Sequence, residues 1–595
     1  MRRGILTLTV ELWAGLAAAA VSGRILPVRE FNVRVPMRDG VRLSINVFRP
    51  GAHGRYPTVL LRTPYGKGDE LTPNFQSFLD HGYVLAIQDV RGRYQSEGRF
   101  DPIDQEVNDG DDTLNWIARQ AWSDGKIGMY GGSYPGIAQW KAALSQNPHL
   151  KAIFPYVSGD DDYRDRFYST GGAMKLGHRL LWVAENLRET GYEPPSFTKY
   201  IWRLPTRSAD LAAAGRVVPL WRTIAEHPTY DQFWKNSSVR EHLNRIHIPV
   251  YSVAGWYDNY VESDLDAFAR LHATNAETRI MVGPWPHTFN TPFAGVDFGK
   301  DALVPLRPEQ LQWFDRWLKD GGLKDESAWT RRAPVRLFVM GINQWRDEDE
   351  WPIARAKAVK YYLGGHGLLN TELVTSAPDN FIYDPRNPVP TMGGAVCCDS
   401  RVYPWGPVDQ RGVEGRRDVL VYSTAPLTSD TEVTGPIRVM LTISSTAKDT
   451  DFTAKLVDVF PGGEARNLTD GILRVRYRDS LEKPKLMNPG EVYRITVDAG
   501  VTSNVFRTGH RIRVEISSSN FPRFDRNLNT GRAVADEKLM QKATQTVYHD
   551  RDKRSYVELP VVPARRGRRQ AELTSTHSTR YVTKRSSSLV SPPVR

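Results

Sequence analysis

Phe31 to Val35 and Val41 to Phe48 alternate apolar and polar residues with period two, and Asp39-Gly40 supplies a hairpin turn between them. Thr58 to Leu61 and Val84 to Gln88 are short, continuous apolar runs, the pattern of parallel strands buried on both faces. Asn108 to Ala121 switches to helical spacing, with Thr113, Leu114, Trp116 and Ile117 on one side. Lys126 to Tyr130 reads as a strand, Gly136 to Leu144 as a helix and Ala152 to Val157 as the next strand. This β-then-α alternation predicts a mostly parallel sheet with helices on both faces.

From residue 160 to 244 the pattern becomes helical and rich in Trp, Arg and Glu, as in a helical cap inserted into the sheet domain. Strands resume at Pro249 to Ala254 and Thr278 to Val282, and a helix is predicted at Pro308 to Lys319. After Arg332 the pattern changes again. Val335 to Met340, Val419 to Tyr422, Ile437 to Ile443, Phe452 to Val459, Tyr493 to Val497, Ile512 to Ser517 and Tyr556 to Val562 are strand-like runs between Gly, Pro and Asp turns. They predict an all-β sandwich, a jelly roll. The expected layout is a leader at 1–27, a sheet domain at 28–159 and 245–330, a cap at 160–244, a β-sandwich at 331–563 and a tail at 564–595.

The chain has 595 residues, 40% hydrophobic and 25% charged, enough apolar material for more than one core. The net charge of +11 does not call for a nucleic-acid partner, because much of it lies in the Arg-rich tail, read as a solvated extension. Arg2 and Arg3 precede an apolar run from Leu12 to Val21 that ends in small residues. That is the form of an export signal, although Glu11 interrupts it, and the run is too short for a membrane span. The two cysteines, Cys397 and Cys398, are adjacent. Closing a bridge between neighbours is strained, so two buried thiols are expected, and no Cys/His spacing suggests zinc. No metal or organic cofactor is called for.

The sharpest local feature is Gly131-Gly132-Ser133-Tyr134-Pro135-Gly136, between a predicted strand and a predicted helix. This is the setting of a nucleophile elbow, although the last glycine comes one residue late. A serine hydroxyl needs a base, and the base needs an orienter. Asp258 and His287 each follow a later apolar run, in the order Ser, acid, His. Both lie where loops leave the carboxyl edge of the sheet, the edge that carries Ser133. The N–H of Tyr134 is a candidate oxyanion donor. Tyr65, in the loop Leu61 to Lys67, is a second candidate that the residues alone leave open against an ordinary loop tyrosine.

These segments together resemble the cocaine-esterase-like (CocE/NonD) hydrolases, relatives of the Xaa-Pro dipeptidyl-peptidases. The resemblance rests on Thr63 to Lys67, Gln88 to Arg93 with Ser96 to Gly98, Gly131 to Gly136, Gly255 to Asp258 and Gly283 to His287. It continues through Leu337 to Gly341, Asp449 to Asp458 and Ser517 to Pro522. It implies an α/β-hydrolase core, a helical cap and a C-terminal jelly roll. It implies the triad Ser133, Asp258 and His287, with the Tyr65 hydroxyl and the Tyr134 N–H as oxyanion hole. It also makes Phe167, Tyr168 and Tyr260 counterparts of acyl-pocket residues, with Cys397 and Cys398 replacing bulkier groups and widening the pocket. Related α-amino acid ester hydrolases bind a substrate ammonium through carboxylates soon after the catalytic Asp. Here Tyr260 and Val261 follow Asn259, Glu262 is offset, and Asp160, Asp161 and Asp162 read as turn or capping residues, so an amine site lacks support. The expected activity is hydrolysis of a small ester, amide or short peptide through an acyl-enzyme, with a hydrophobic or aromatic acyl group. The alternatives are a Xaa-Pro dipeptidyl-peptidase, an acylase or acyltransferase, and a non-catalytic binding protein.

Overall fold

The computed structural model of the protein describes residues 27–563 other than 276, 324, 398 and 400–403. The apolar run at Leu12 to Val21 and the basic tail lie outside the described residues.

One sheet has ten strands: β1 (Val28–Pro36), β2 (Arg42–Arg49), β3 (Tyr56–Thr63), β4 (Val84–Asp89), β5 (Ser123–Gly132), β6 (Leu150–Tyr156), β7 (Val250–Tyr257), β8 (Thr278–Pro286), β9 (Val335–Val339) and β10 (Gln344–Glu348). Their order is 1-2-4-3-5-6-7-8-9-10. Pairing is parallel from β4 across to β9 and antiparallel at both margins. β4 and β7 are buried at every position, which is why they read as unbroken apolar runs rather than alternating ones. β9 and β10 correct the sequence reading. They extend this sheet, with β9 parallel to β8, instead of opening the β-sandwich.

Helices α1 (Pro73–Asp80), α2 (Gln105–Ala118) and α3 (Tyr134–Ala143) connect the strands. α3 is buried along its whole length, so it shows almost no amphipathic stripe. It packs closely on α2, where a Cβ on Gly110 would lie 2.9 Å from the Cβ of Ala142. α2 starts earlier than the spacing predicted. Its first turn buries Gln105 and Glu106 in a polar network that apolar periodicity does not register.

Between β6 and β7 the chain is helical. It includes α4 (Leu176–Asn186) and encloses an aromatic cluster of Tyr163, Tyr168, Trp221, Tyr230 and Trp234. The C-terminal region is all-β: an eleven-stranded sheet system runs from Lys357–Gly364 to Tyr556–Val562. Its core is built by Ile437, Val439, Leu441, Phe452, Leu456, Val497, Val514 and Ile516. The helical segment is joined to this region by backbone and carboxylate bonds. Gly177 N–H donates to the Pro522 carbonyl at 2.8 Å, and Met174 N–H donates to Asp525 Oδ1 at 2.8 Å. Asp525 also pairs with the buried Arg474, whose other partner is Asp451. Among the described residues no helix is long and apolar enough to cross a membrane.

Candidate active site

Ser133 lies between the end of β5 and the start of α3, with φ 58° and ψ −125°. A side chain other than glycine's is strained there, and the surrounding structure must hold it in place. The glycines explain how. A Cβ on Gly132 would fall 2.1 Å from the Tyr156 ring. One on Gly131 would meet Pro135, and one on Gly136 would lie 2.5 Å from the Cβ of Ser158. The late glycine of the elbow is therefore a packing requirement against the chain leaving β6.

Asp258 directly follows β7, and His287 directly follows β8. His287 Nδ1 lies 2.7 Å from Asp258 Oδ1, and His287 Nε2 lies 3.0 Å from Ser133 Oγ. Asp258 is fully buried, and its Oδ2 accepts the Tyr260 N–H at 3.2 Å. The two strand ends can approach because Gly255 carries no side chain; a Cβ there would lie 2.2 Å from the Trp285 carbonyl oxygen. In this arrangement an imidazole can accept a hydroxyl proton while a carboxylate holds its other nitrogen.

Tyr65 follows β3, and its hydroxyl accepts a hydrogen bond from Trp182 Nε1 of α4 at 3.2 Å. The Tyr65 ring is partly exposed, and desolvation around its hydroxyl shifts the phenol upward, away from ionisation at neutral pH. The Tyr134 N–H is in the first turn of α3, where helical N–H groups lack intrahelical partners. The Tyr134 side chain is anchored from below. Its hydroxyl donates to Glu106 Oε1 at 2.8 Å, and Glu106 Oε2 is paired with the buried Arg62 at 2.5 Å.

A cavity of about 360 Å³ opens over Ser133 and His287. Its wall takes in Tyr65, Tyr134, Tyr260 and Cys397, together with Arg166, Arg179 and Trp182. The sequence reading missed Arg166, Arg179 and Trp182. Their signal was faint: Arg179 and Trp182 are three apart on one helix, the spacing of a shared face. Phe167 and Tyr168 are not in this wall. Phe167 lies beneath it, with the Arg166 and Arg179 guanidinium carbons 5.0 and 5.4 Å from its ring centroid. Tyr168 stacks on Tyr163 at 4.6 Å and donates to the Ile224 carbonyl, inside the helical segment's own core. Both were placed by the resemblance, as counterparts of acyl-pocket residues, which does not say which way a ring points.

Cys397 reaches the cavity, but it is disulfide-bonded rather than a thiol. Cys398 lies outside the described residues. Asp161 caps the turn that follows it, as expected. Asp162 instead forms buried ion pairs with Lys141 and Arg166, and Asp160 accepts from Ser263. A second cavity of about 490 Å³ lies on the far side of Asp258, lined by Lys175, Glu262, Asp498 and Arg523 among others.

The parallel sheet, the strained serine between strand and helix, and the acid and histidine at later strand ends define an α/β-hydrolase. The X-Pro dipeptidyl-peptidase (S15 family) model matches residues 39–289, and the X-Pro dipeptidyl-peptidase C-terminal non-catalytic domain model matches residues 327–558. The chain is 41% identical to the cocaine esterase of Rhodococcus sp. (strain MB1 Bresler), over 89% of this chain and 98% of that one. A solved α-amino acid ester hydrolase superposes with a TM-score of 0.81 at 26% identity, covering 93% of this chain and 100% of that chain. An aminopeptidase from a marine sediment Thaumarchaeota archaeon also gives 0.81 at 26% identity, covering 91% and 97%. The chain belongs to the cocaine-esterase-like (CocE/NonD) hydrolase family and is a serine hydrolase acting on esters.

Proposed function

We propose that Ser133 is the nucleophile, His287 its general base and Asp258 the residue that orients His287. Ser133 Oγ attacks the ester carbonyl as His287 Nε2 takes its proton. The Tyr65 hydroxyl and the Tyr134 N–H hold the oxyanion of the tetrahedral intermediate. His287 then returns the proton to the leaving alcohol, and a water molecule activated by the same imidazole releases the acid. The observation that carries this reading is the hydrogen-bonded line from Asp258 through His287 to Ser133, at 2.7 and 3.0 Å.

The acyl portion sits in the cavity over Ser133. Tyr65, Tyr134, Trp182 and Tyr260 line it with rings, which favours an aromatic acyl group. A dipeptidyl-peptidase needs a carboxylate to receive the substrate's terminal ammonium. The carboxylate on this cavity, Glu185, is exposed at its border, whereas the buried charges on it are Arg166 and Arg179, which favours esterase over peptidase chemistry. The test is labelling with a fluorophosphonate probe, combined with hydrolysis of aryl esters and X-Pro anilides. Wild-type protein is expected to take up the label and cleave aryl esters, and Ser133→Ala to do neither while keeping its thermal transition. Ester hydrolysis by Ser133→Ala at near wild-type rate sinks the mechanism.

A further inference from the structure

Among the described residues, the wall of the cavity over Ser133 carries more buried positive charge than buried carboxylates neutralise. Arg166 is 4% exposed and is paired at 2.7 Å with Asp162, but Asp162 is also paired at 2.7 Å with Lys141. One carboxylate thus serves two cations. Arg179 is 9% exposed, and among the described residues no carboxylate lies within ion-pair distance of it. Its Nε donates to the Arg166 carbonyl, and its Nη2 donates to the Tyr260 hydroxyl at 2.7 Å. Glu185 also borders the cavity, but it is exposed, where water screens its charge. The other carboxylates close by are already engaged, Glu106 with Arg62 and Asp258 with His287.

A buried guanidinium without an anion is costly relative to a paired one, so a wall of this kind is better matched by a negatively charged ligand. The same charge is felt nearby. The buried His178 imidazole, next to Arg179 on α4, is held well below its ordinary range, first by burial and then by Arg179 and Lys175. The position is close to the chemistry: Arg179 holds Tyr260, whose ring centroid is 5.6 Å from that of His287.

We propose that the cavity selects esters bearing a carboxylate, bound by Arg179 with Arg166 beside it. This rests on the assignment of Ser133 as nucleophile and adds the charge of the substrate. Arg179 also holds Tyr260 in place, so it belongs to the binding machinery and its loss lowers turnover generally. The informative quantity is therefore a ratio measured within each enzyme.

The experiment compares 4-nitrophenyl 4-carboxybenzoate with 4-nitrophenyl 4-methylbenzoate, placing the charge on the acid portion. A second arm compares 4-carboxyphenyl butyrate with phenyl butyrate, placing it on the alcohol portion. Each kcat/KM is divided by the hydroxide rate of the same ester. The expected result is a preference for the carboxylate ester of tenfold or more in one arm, falling at least tenfold in Arg179→Met and partly recovered in Arg179→Lys. Preference for the neutral ester in both arms, or an unchanged ratio in Arg179→Met, overturns the proposal. If Arg179→Met does not fold, inhibition of the wild type decides: 4-acetylbenzoate must bind at least tenfold more tightly than the neutral 4-methylacetophenone, and equal binding overturns the proposal. Failure of the wild type to cleave any of the four esters, with no fluorophosphonate labelling, would instead overturn the nucleophile assignment.

Discussion

The indole N–H of Trp182 donates to the hydroxyl oxygen of Tyr65 across 3.2 Å, tying the helical segment to the loop that follows β3. With a lone pair engaged by the indole, the Tyr65 hydroxyl keeps its own proton free to donate, and Tyr65 lines the same cavity as Ser133. Hydrogen bonds in series also polarise one another, so the phenol becomes a better donor. Tyr65→Phe is expected to lower kcat by about 10²-fold or more, the usual effect of removing an oxyanion donor. Trp182→Phe leaves the donor in place but unaligned, and its loss in kcat is expected to be smaller. Steady-state kinetics on one aryl ester settle the order, and a larger effect for Trp182→Phe contradicts it.

The two tyrosines proposed for the oxyanion hole would contribute differently. Tyr65 would offer its side chain, whereas Tyr134 would offer its backbone N–H and uses its hydroxyl to hold Glu106. Tyr134→Phe is therefore expected to cost about 1–3 kcal/mol of stability, because Glu106 loses a buried donor. Its kcat is expected to stay within about tenfold of wild type, well above that of Tyr65→Phe. Chemical denaturation alongside kinetics reads both effects.

Gly132→Ala places a methyl group 2.1 Å from the Tyr156 ring, next to a serine already in a strained conformation. The expected outcome is a marked fall in the thermal midpoint and loss of fluorophosphonate labelling. Trimming the obstacle in Gly132→Ala/Tyr156→Ala is expected to restore part of the labelling. No restoration would place the difficulty in the backbone rather than in the ring.

Glu262 carries the pH dependence most open to test. Burial first, and then Asp498, push its carboxyl up to about 8. Its unfolded value is near the ordinary 4.5. A raised carboxyl binds its proton more tightly in the folded state, so its contribution to stability is full below the unfolded value and is lost as pH rises toward about 8. Glu262→Gln cannot ionise. Its thermal midpoint is expected to gain on wild type progressively between pH 5 and 8.5. A constant difference across that range refutes the assignment.

Much of the fold could be read from the sequence because its signals are local. The apolar runs of β3, β4 and β7 and the turn glycines around Ser133 name their own structure. Asp258 and His287 could be read because each ends an apolar run. What escaped was set by distant partners. β9 looked like the start of the β-sandwich until β8 was seen beside it. The helical segment hid its orientation: Phe167 and Tyr168 face inward to their own core, while Arg166 and Arg179, which composition places at the surface, face the catalytic cavity. Buried arginines have no sequence signature, since what buries them is a carbonyl, a ring or a carboxylate contributed from elsewhere.

The bonds from Met174 and Gly177 to Asp525 and Pro522 have a consequence for the order in which the enzyme is made. Ser133, Asp258 and His287 leave the ribosome well before the loop that secures the base of α4. Until that loop arrives, a nascent chain carries its reacting groups without a fastened wall to position a substrate. The apolar residues around β7 wait as well for partners such as Val439 and Phe452, so a nascent chain carrying the hydrolase strands alone has neither a fastened wall nor a completed core.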